Sequence, residues 1–391
     1  MPIFDAYPAI VVLLSVVAYQ LLPLGRPRVL LLCGVSVSYL GYLDLGALVV
    51  AVAMGTFAYL AVMVGPRLKA KAAKRLWMLA VIGSLLGPLV FYKYWGLLLG
   101  PLGIPPHHTY PWVPLGLSFL TFRLIAYVVD QQQTRAQRPG LSTMALFVLF
   151  FPIFICGPIE RWVTFVRGPT VPFNAEQVGA ALQRILYGVA KKVLLADRLA
   201  IHILPLSTKP EGFSTQAAWL VFIGCGLQIY LDFAAYSDIA IGLARLFGYD
   251  IMENFNRPFL SRNLAEFWRR WHISLSEWIR IYLFMPLATR RPSPVRLHLS
   301  TIVAMTLCGL WHGAGWSFVF WGFCHGIGIS AYHLWTSARK RYPLANAVGE
   351  WRLAGHLSVA LTYCYVSLTF VFFAKPFPEA LIIVKRMFGV A

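Results

Sequence analysis

Cys308-Gly-Leu-Trp-His-Gly-Ala-Gly-Trp-Ser-Phe-Val-Phe-Trp-Gly-Phe-Cys-His-Gly326 decides how the rest of the chain is read. The stretch is apolar enough to lie in a bilayer, yet it holds a titratable imidazole, His312, among Gly309, Gly313, Ala314 and Gly315. An ionisable side chain at that depth is costly, and where it is kept it faces a cavity or pathway as a rule. The small neighbours remove side-chain bulk, so another helix or a ligand can approach the backbone closely. His312 is therefore a candidate reactive group.

The apolar character extends outward from this stretch. Of 391 residues, 59% are hydrophobic, 15% aromatic and 13% charged, with a mean hydropathy of +0.67. A bilayer-crossing helix needs roughly 20 predominantly apolar residues, and such runs recur along the chain. They are continuous rather than alternating in polarity, which favours helices over a barrel, because backbone groups in lipid must be satisfied internally. The expected fold is all-α, a polytopic membrane protein with roughly ten spanning or re-entrant helices. A single membrane-embedded domain over 1–391 is expected, with peripheral helices over 1–130, a core over 140–335 and a C-terminal part over 350–391.

The net charge of +19 arises from 34 Lys and Arg against 15 Asp and Glu. In a membrane protein Lys and Arg collect in cytoplasmic loops and at interfaces, so this excess points to anionic lipid and not to nucleic acid. It could also draw in an anionic donor molecule. The six cysteines show no close paired spacing, which signals neither a zinc site nor a disulfide framework. Residues 1–8 lack the basic region of a signal peptide, so the first apolar run is expected to be a retained helix.

Apolar segments lie near 9–23, 29–43, 46–65, 77–99 and 112–129. Arg26 and Arg28 follow the first, Asp44 the second, and Arg67, Lys69, Lys71, Lys74 and Arg75 the third. The loop after the fourth holds His107 and His108 without Lys or Arg, and Arg135 and Arg138 follow the fifth. Basic and non-basic loops alternate, which places the N-terminus outside and the 67–75 loop in the cytoplasm.

Beyond residue 140 the pattern is less regular. Pro152 and the Gly157-Pro158 pair interrupt the apolar run 146–159, so a broken or re-entrant segment is expected there. The run 217–248 carries Gln228, Asp232, Ser237 and Asp238 and reads as a helix pair or a broken helix facing a polar interior. Over 262–287, Leu264, Phe267, Trp268, Trp271, Leu275, Trp278 and Tyr282 recur at helical spacing, with Arg262, Glu266, Arg269, Arg270, Glu277 and Arg280 largely opposite. That pattern predicts one amphipathic helix at the interface or beside a wet cavity, with His272 on the flank of its stripe. Apolar stretches near 298–312, 315–335 and 353–374 follow, and the tail 375–391 suits a short amphipathic helix.

Imidazole titrates near neutrality and can take a proton from a hydroxyl at physiological pH, so His312 suits a general base. His325 lies 13 residues further on, off the same helical face, and reads as a packing or hydrogen-bonding residue. Asp232 and Asp238 are six apart and share no face, so each is expected to cap, pair with a cation or line a polar channel. No histidine pair with helical spacing sits beside a carboxylate, so neither a metal site nor a bound cofactor is expected. On these residues alone an acyl-transfer enzyme and a histidine-relay transporter both stand.

The motifs narrow the choice. Tyr230-Leu-Asp-Phe-Ala-Ala-Tyr-Ser-Asp-Ile-Ala-Ile-Gly-Leu-Ala-Arg245, Glu253-Asn-Phe-Asn-Arg-Pro258, Glu266-Phe-Trp-Arg-Arg-Trp-His-Ile-Ser-Leu-Ser276 and Gly309-Leu-Trp-His-Gly313 together resemble the membrane-bound O-acyltransferase family. The likeness is to its bacterial branch, which includes the alginate O-acetyltransferase membrane subunit. Phe91-Tyr-Lys-Tyr94, Pro114-Leu-Gly-Leu-Ser-Phe119 and Phe151-Pro-Ile-Phe-Ile-Cys-Gly-Pro-Ile159 fit the same order. The resemblance implies helices around a central tunnel in the bacterial inner membrane, where a cytoplasmic acyl thioester, acetyl-coenzyme A or an acyl carrier, meets a hydroxyl from the opposite side. It places the family's principal histidine at His312 and its second polar position at His272, and it implies Trp311, Gly313, Trp316, Trp268, Asp232 and Asn263 as tunnel residues. It further implies acetyl transfer toward an extracytoplasmic polysaccharide through a partner protein, with peptidoglycan and D-alanyl transfer as alternatives.

Overall fold

The computed structural model describes residues 6–99, 102, 113–134, 140–206, 214–290, 292–341 and 352–390. His107 and His108, Arg135, Arg138 and Arg291 lie outside the described residues. Among the described residues every regular element is a helix. Four of these, Leu45–Val64, Lys71–Leu99, Thr215–Leu246 and Ala354–Ala374, are long and apolar enough to cross a membrane. Trp316–Arg341 has the length, but its histidines, glycines and tryptophans leave it less apolar.

The chain packs as two compact units, one of Met1–Leu186 with Ser237–Met252, the other of Tyr187–Tyr236 with Glu253–Ala391. In the first, helices Arg26–Leu43, Leu45–Val64 and Leu117–Thr134 surround an aromatic core that includes Tyr127, Phe147, Phe150 and Trp162. Asp44 fixes two turns at once, accepting from the Ala47 N–H at 2.8 Å and from the Leu115 N–H at 3.0 Å. The run 146–159 is broken as its prolines require: one helix stops at Leu149, and a four-residue turn, Phe151–Phe154, restarts with Pro152 in its first turn. Arg161 grips the buried Asp130 carboxylate through Nη2 at 2.9 Å and Nε at 3.3 Å.

The expected break within 217–248 is absent, because Thr215–Leu246 is one 32-residue helix. Its interior polar groups are neutralised laterally instead of by a break: Lys192 meets Asp232 at 2.5 Å, and Arg184 meets Asp238 at 3.1 Å. Its glycines serve as contact points, Gly224 against Ile203 and Gly226 against Phe370. At about 1.5 Å per residue the helix is roughly 48 Å long, well beyond a hydrocarbon core of about 30 Å.

The amphipathic stretch departs in the opposite sense. It is not one helix but two: a bend at Trp271-His272 separates Leu264–Arg270 from a second helix that runs through Ile273–Ile279, a widened turn over Arg280–Phe284 and Met285–Thr289 without a gap. The apolar stripe holds over Leu264, Phe267, Trp268, Trp271 and Leu275, which are all buried, but not to its end: Trp278 and Tyr282 are half-buried, and Ile279 is the buried residue of that turn. In the same unit the helices Pro294–His312 and Trp316–Arg341 form a close hairpin. A side chain on Gly309 would collide with the Phe318 carbonyl, one on Gly322 with the Met305 carbonyl, and one on Gly326 would lie 2.7 Å from the Ile302 Cα. The tail forms the helix Phe377–Met387, whose Ala380, Ile383 and Met387 pack with Val221, Phe222 and Val371.

Candidate active site

His312 is the last residue of its helix, and the extended Gly313 follows at once. Only glycine fits at that position, because the Phe318 ring fills the space a side chain on Gly313 would need. The half-buried His312 imidazole is enclosed by rings, with centroids of Trp311 at 4.6 Å, Phe373 at 5.0 Å and Trp321 at 5.4 Å. Aromatic walls of this kind reduce the water around the ring and strengthen electrostatic interactions beside them.

His272 is positioned differently. It stands in the left-handed region at φ 42°, one of two non-glycine residues among those described with positive φ. That conformation costs a non-glycine residue about 1–3 kcal/mol and persists only where the surroundings impose it. They do so through the loop 254–256. The Ile273 N–H donates to the Asn254 carbonyl at 2.9 Å, and the Asn256 N–H donates to the Arg270 carbonyl at 2.9 Å. The Asn254 side chain, fully buried, also accepts from Ser274 Oγ at 2.9 Å. The backbone is thus pinned on both sides of His272, which redirects the chain and ends the first helix at Arg270.

The buried His272 ring packs edge-on to Phe233 at 4.7 Å and lies 6.3 Å from Trp311. Trp311 consequently touches both histidine rings, and the 40 residues between them in sequence (312 minus 272) are closed up by the fold. His272 lies on a short-helix segment outside the four candidate spans. Burial, and then the neighbouring His312 imidazole, hold it well below the usual imidazole range, so it is neutral near pH 7. A neutral imidazole still offers one donor and one acceptor.

Of the other anticipated residues, Trp268 joins the cluster. It is buried, contacts Trp321 at 5.7 Å and donates its indole N–H to His325 Nδ1 at 3.2 Å. Because an indole can only donate, Nδ1 must accept, which leaves the proton on Nε2 for the bond to Thr369 Oγ1 at 2.9 Å. His325 is therefore a hydrogen-bonding residue of the wall. Asp232 is held by Lys192, which also meets Asp197 at 2.8 Å. Asn263 caps the helix Leu264–Arg270, accepting from the Glu266 N–H at 2.8 Å, while Glu266 accepts from the Arg262 N–H at 2.9 Å. Trp316 opens its helix and is 73% exposed. Asn254 lies in the motif Glu253–Pro258, but no spacing singles it out, since its role depends on a loop meeting a helix bend. Among the described residues no three His, Cys, Asp or Glu side chains gather as a metal ion would need.

Taken together, the fold and this cluster define a helical membrane protein with two histidines beside one tryptophan in an aromatic cluster. The family model for membrane-bound O-acyltransferases matches residues 52–364, and the chain belongs to that family. A "Probable alginate O-acetylase AlgI" of Azotobacter vinelandii is 41% identical over 228 residues, covering 56% of this chain and 44% of that protein. The peptidoglycan O-acetyltransferase of Helicobacter pylori is 30% identical over 353 residues, covering 81% of this chain and 66% of its own. A teichoic acid D-alanyltransferase of Bacillus subtilis is 29% identical over 316 residues, covering 76% and 78% respectively. The chain spans 44% and 65% of the length of two alginate relatives, those of A. vinelandii and Pseudomonas putida.

Proposed function

We propose that this chain is an O-acyltransferase of the bacterial inner membrane that moves an acyl group, acetyl in the first instance, from a cytoplasmic thioester to a hydroxyl on an extracytoplasmic polysaccharide or partner protein. The observation that carries the reading is that the His312 and His272 rings both lie beside Trp311, at 4.6 and 6.3 Å between centroids. His312 takes the proton of the acceptor hydroxyl as its oxygen attacks the thioester carbonyl carbon. The carbon–sulfur bond then breaks, and the thiolate leaves with the proton from His312. Neutral His272 donates to the oxygen that becomes negative in between, and the dry aromatic surroundings increase the worth of that bond. Acetyl-coenzyme A and an acyl carrier supply the same thioester chemistry. Similarity to a peptidoglycan O-acetyltransferase and to teichoic acid D-alanyltransferases supports acyl transfer to cell-envelope hydroxyls as the common theme.

The basic loop 67–75 supports an orientation with the N-terminus outside. A thiol placed at Lys71 should then be labelled by a membrane-impermeant reagent only after the cells are opened. The chemistry is tested by thioester-dependent acylation in membranes. His312→Ala is expected to lower the rate by about 10²–10⁴-fold, the usual worth of a general base, with unchanged insertion and folding. Full activity in that variant would remove the mechanism.

A further inference from the structure

The unit formed by Met1–Leu186 and Ser237–Met252 holds a cavity of about 250 Å³ that contains none of the histidines. Its polar walls are Gln20, Arg28 and Arg245, and Tyr19, Leu24 and Phe173 complete the part that matters here. Arg28 is preset. Its Nε donates to the Leu22 carbonyl at 3.0 Å, its Nη2 points to the Gln20 carbonyl at 3.4 Å, and its guanidinium stands 4.8 Å over the Tyr19 ring. It meets no carboxylate among the described residues. Across the cavity, Arg245 reaches one carboxylate, Asp250, at 3.3 Å, and Asp250 is 61% exposed. The buried Nε of Arg245 has no acceptor among the described residues. Gly248, at φ 81°, lets this wall close, because its carbonyl takes the N–H groups of Thr170 and Val171 and a side chain there would lie 2.8 Å from Pro169.

Two guanidiniums thus face one cavity with a single, solvent-facing carboxylate against them. The border is apolar and outward-facing: Leu21, Leu24 and Phe173 are all exposed large hydrophobic residues. In a membrane protein such side chains lie against lipid. We propose that this cavity binds the phosphate of an anionic phospholipid, with the headgroup between Arg28 and Arg245 and the glycerol and first acyl carbons over Leu24 and Phe173. Guanidinium matches a phosphate's oxygens in pairs, and a tethered Arg28 loses little freedom on binding. The site belongs to the membrane-facing part of the molecule and stands independently of the acyl-transfer reading.

The test uses the purified full chain in detergent, with lipid retention read by native mass spectrometry and by melting temperature. Phosphatidylglycerol is expected to stay bound and to raise the melting temperature, whereas phosphatidylcholine does neither at the same concentration. Arg245→Gln should weaken phosphatidylglycerol binding by about fivefold to tenfold, the worth of one arginine at an anionic surface or of one charge-assisted bond, and Arg245→Lys should restore part of it. Leu24→Glu, which leaves both guanidiniums in place, should weaken it as well by repelling the headgroup. Equal retention of the two lipids, or undiminished phosphatidylglycerol binding in both Arg245→Gln and Leu24→Glu, overturns the proposal. Stabilisation by inorganic phosphate or glycerol 3-phosphate with no lipid preference overturns the lipid assignment in favour of a soluble phosphate.

Discussion

The two histidines reach the same tryptophan by contrasting means. His312 sits at the end of a regular helix whose position is set by glycines packed against Trp316–Arg341, so its setting is written in consecutive residues. His272 sits on a bend that no local preference would choose, held at φ 42° by a loop some sixteen residues upstream (272 minus 256). One site is built by removing side chains and the other by imposing strain. The difference predicts that the first is sensitive to added bulk and the second to lost hydrogen bonds.

The largest effect is expected at the hairpin. Gly309→Val drives a branched side chain into the Phe318 carbonyl, and overpacking of that kind should cost about 3 kcal/mol, the upper end of its usual range. Thermal unfolding in detergent measures it, and a stability equal to wild type would mean that the helices can separate without loss. Asn254→Ala comes next. It leaves the Ser274 hydroxyl in a buried site without its acceptor, a loss of about 1–3 kcal/mol, and it frees the bend, so thioester turnover should fall even where the protein still folds.

The smallest net effect on stability is expected at the bend itself. His272→Gly relieves about 1–3 kcal/mol of left-handed strain but empties a buried ring site and adds glycine's backbone entropy, so the terms oppose each other and acyl transfer drops more than stability does. A fully active variant would strip His272 of its proposed role. Activity lost with stability nearly kept would identify the strained residue as retained for function.

What could be read from the chain before its structure follows the same division. The helical class and the apolar segments are local properties of composition and spacing, and they carry through; His312 is singled out on the same local grounds, and the fold sets it among the rings of Trp311, Trp321 and Phe373. The stripe of Leu264, Phe267, Trp268, Trp271 and Leu275 is likewise real, yet periodicity cannot register a bend that keeps the same face buried. Similarly, Asp232 and Asp238 suggested a break in the helix Thr215–Leu246. Lys192 and Arg184, far away in sequence, supply the counter-charges that let the helix continue. Asn263 had a signature within reach, since an Asn followed three residues later by Glu266 is a helix start, and its observed bonds are those of a cap. Asn254 had none, because its value arises only once the loop meets the bend.

The bonds around His325 have a direction. The Trp268 indole gives its proton to Nδ1, Nε2 gives to Thr369, and the Thr369 hydroxyl gives to the Val366 carbonyl at 2.8 Å. The sequence ends on a peptide oxygen, a terminus that can accept a bond but cannot pass a proton onward, and begins on an indole, which does not release one near neutral pH. It is a one-way street closed at both ends. His325 therefore works as a strut whose tautomer is fixed by its neighbours.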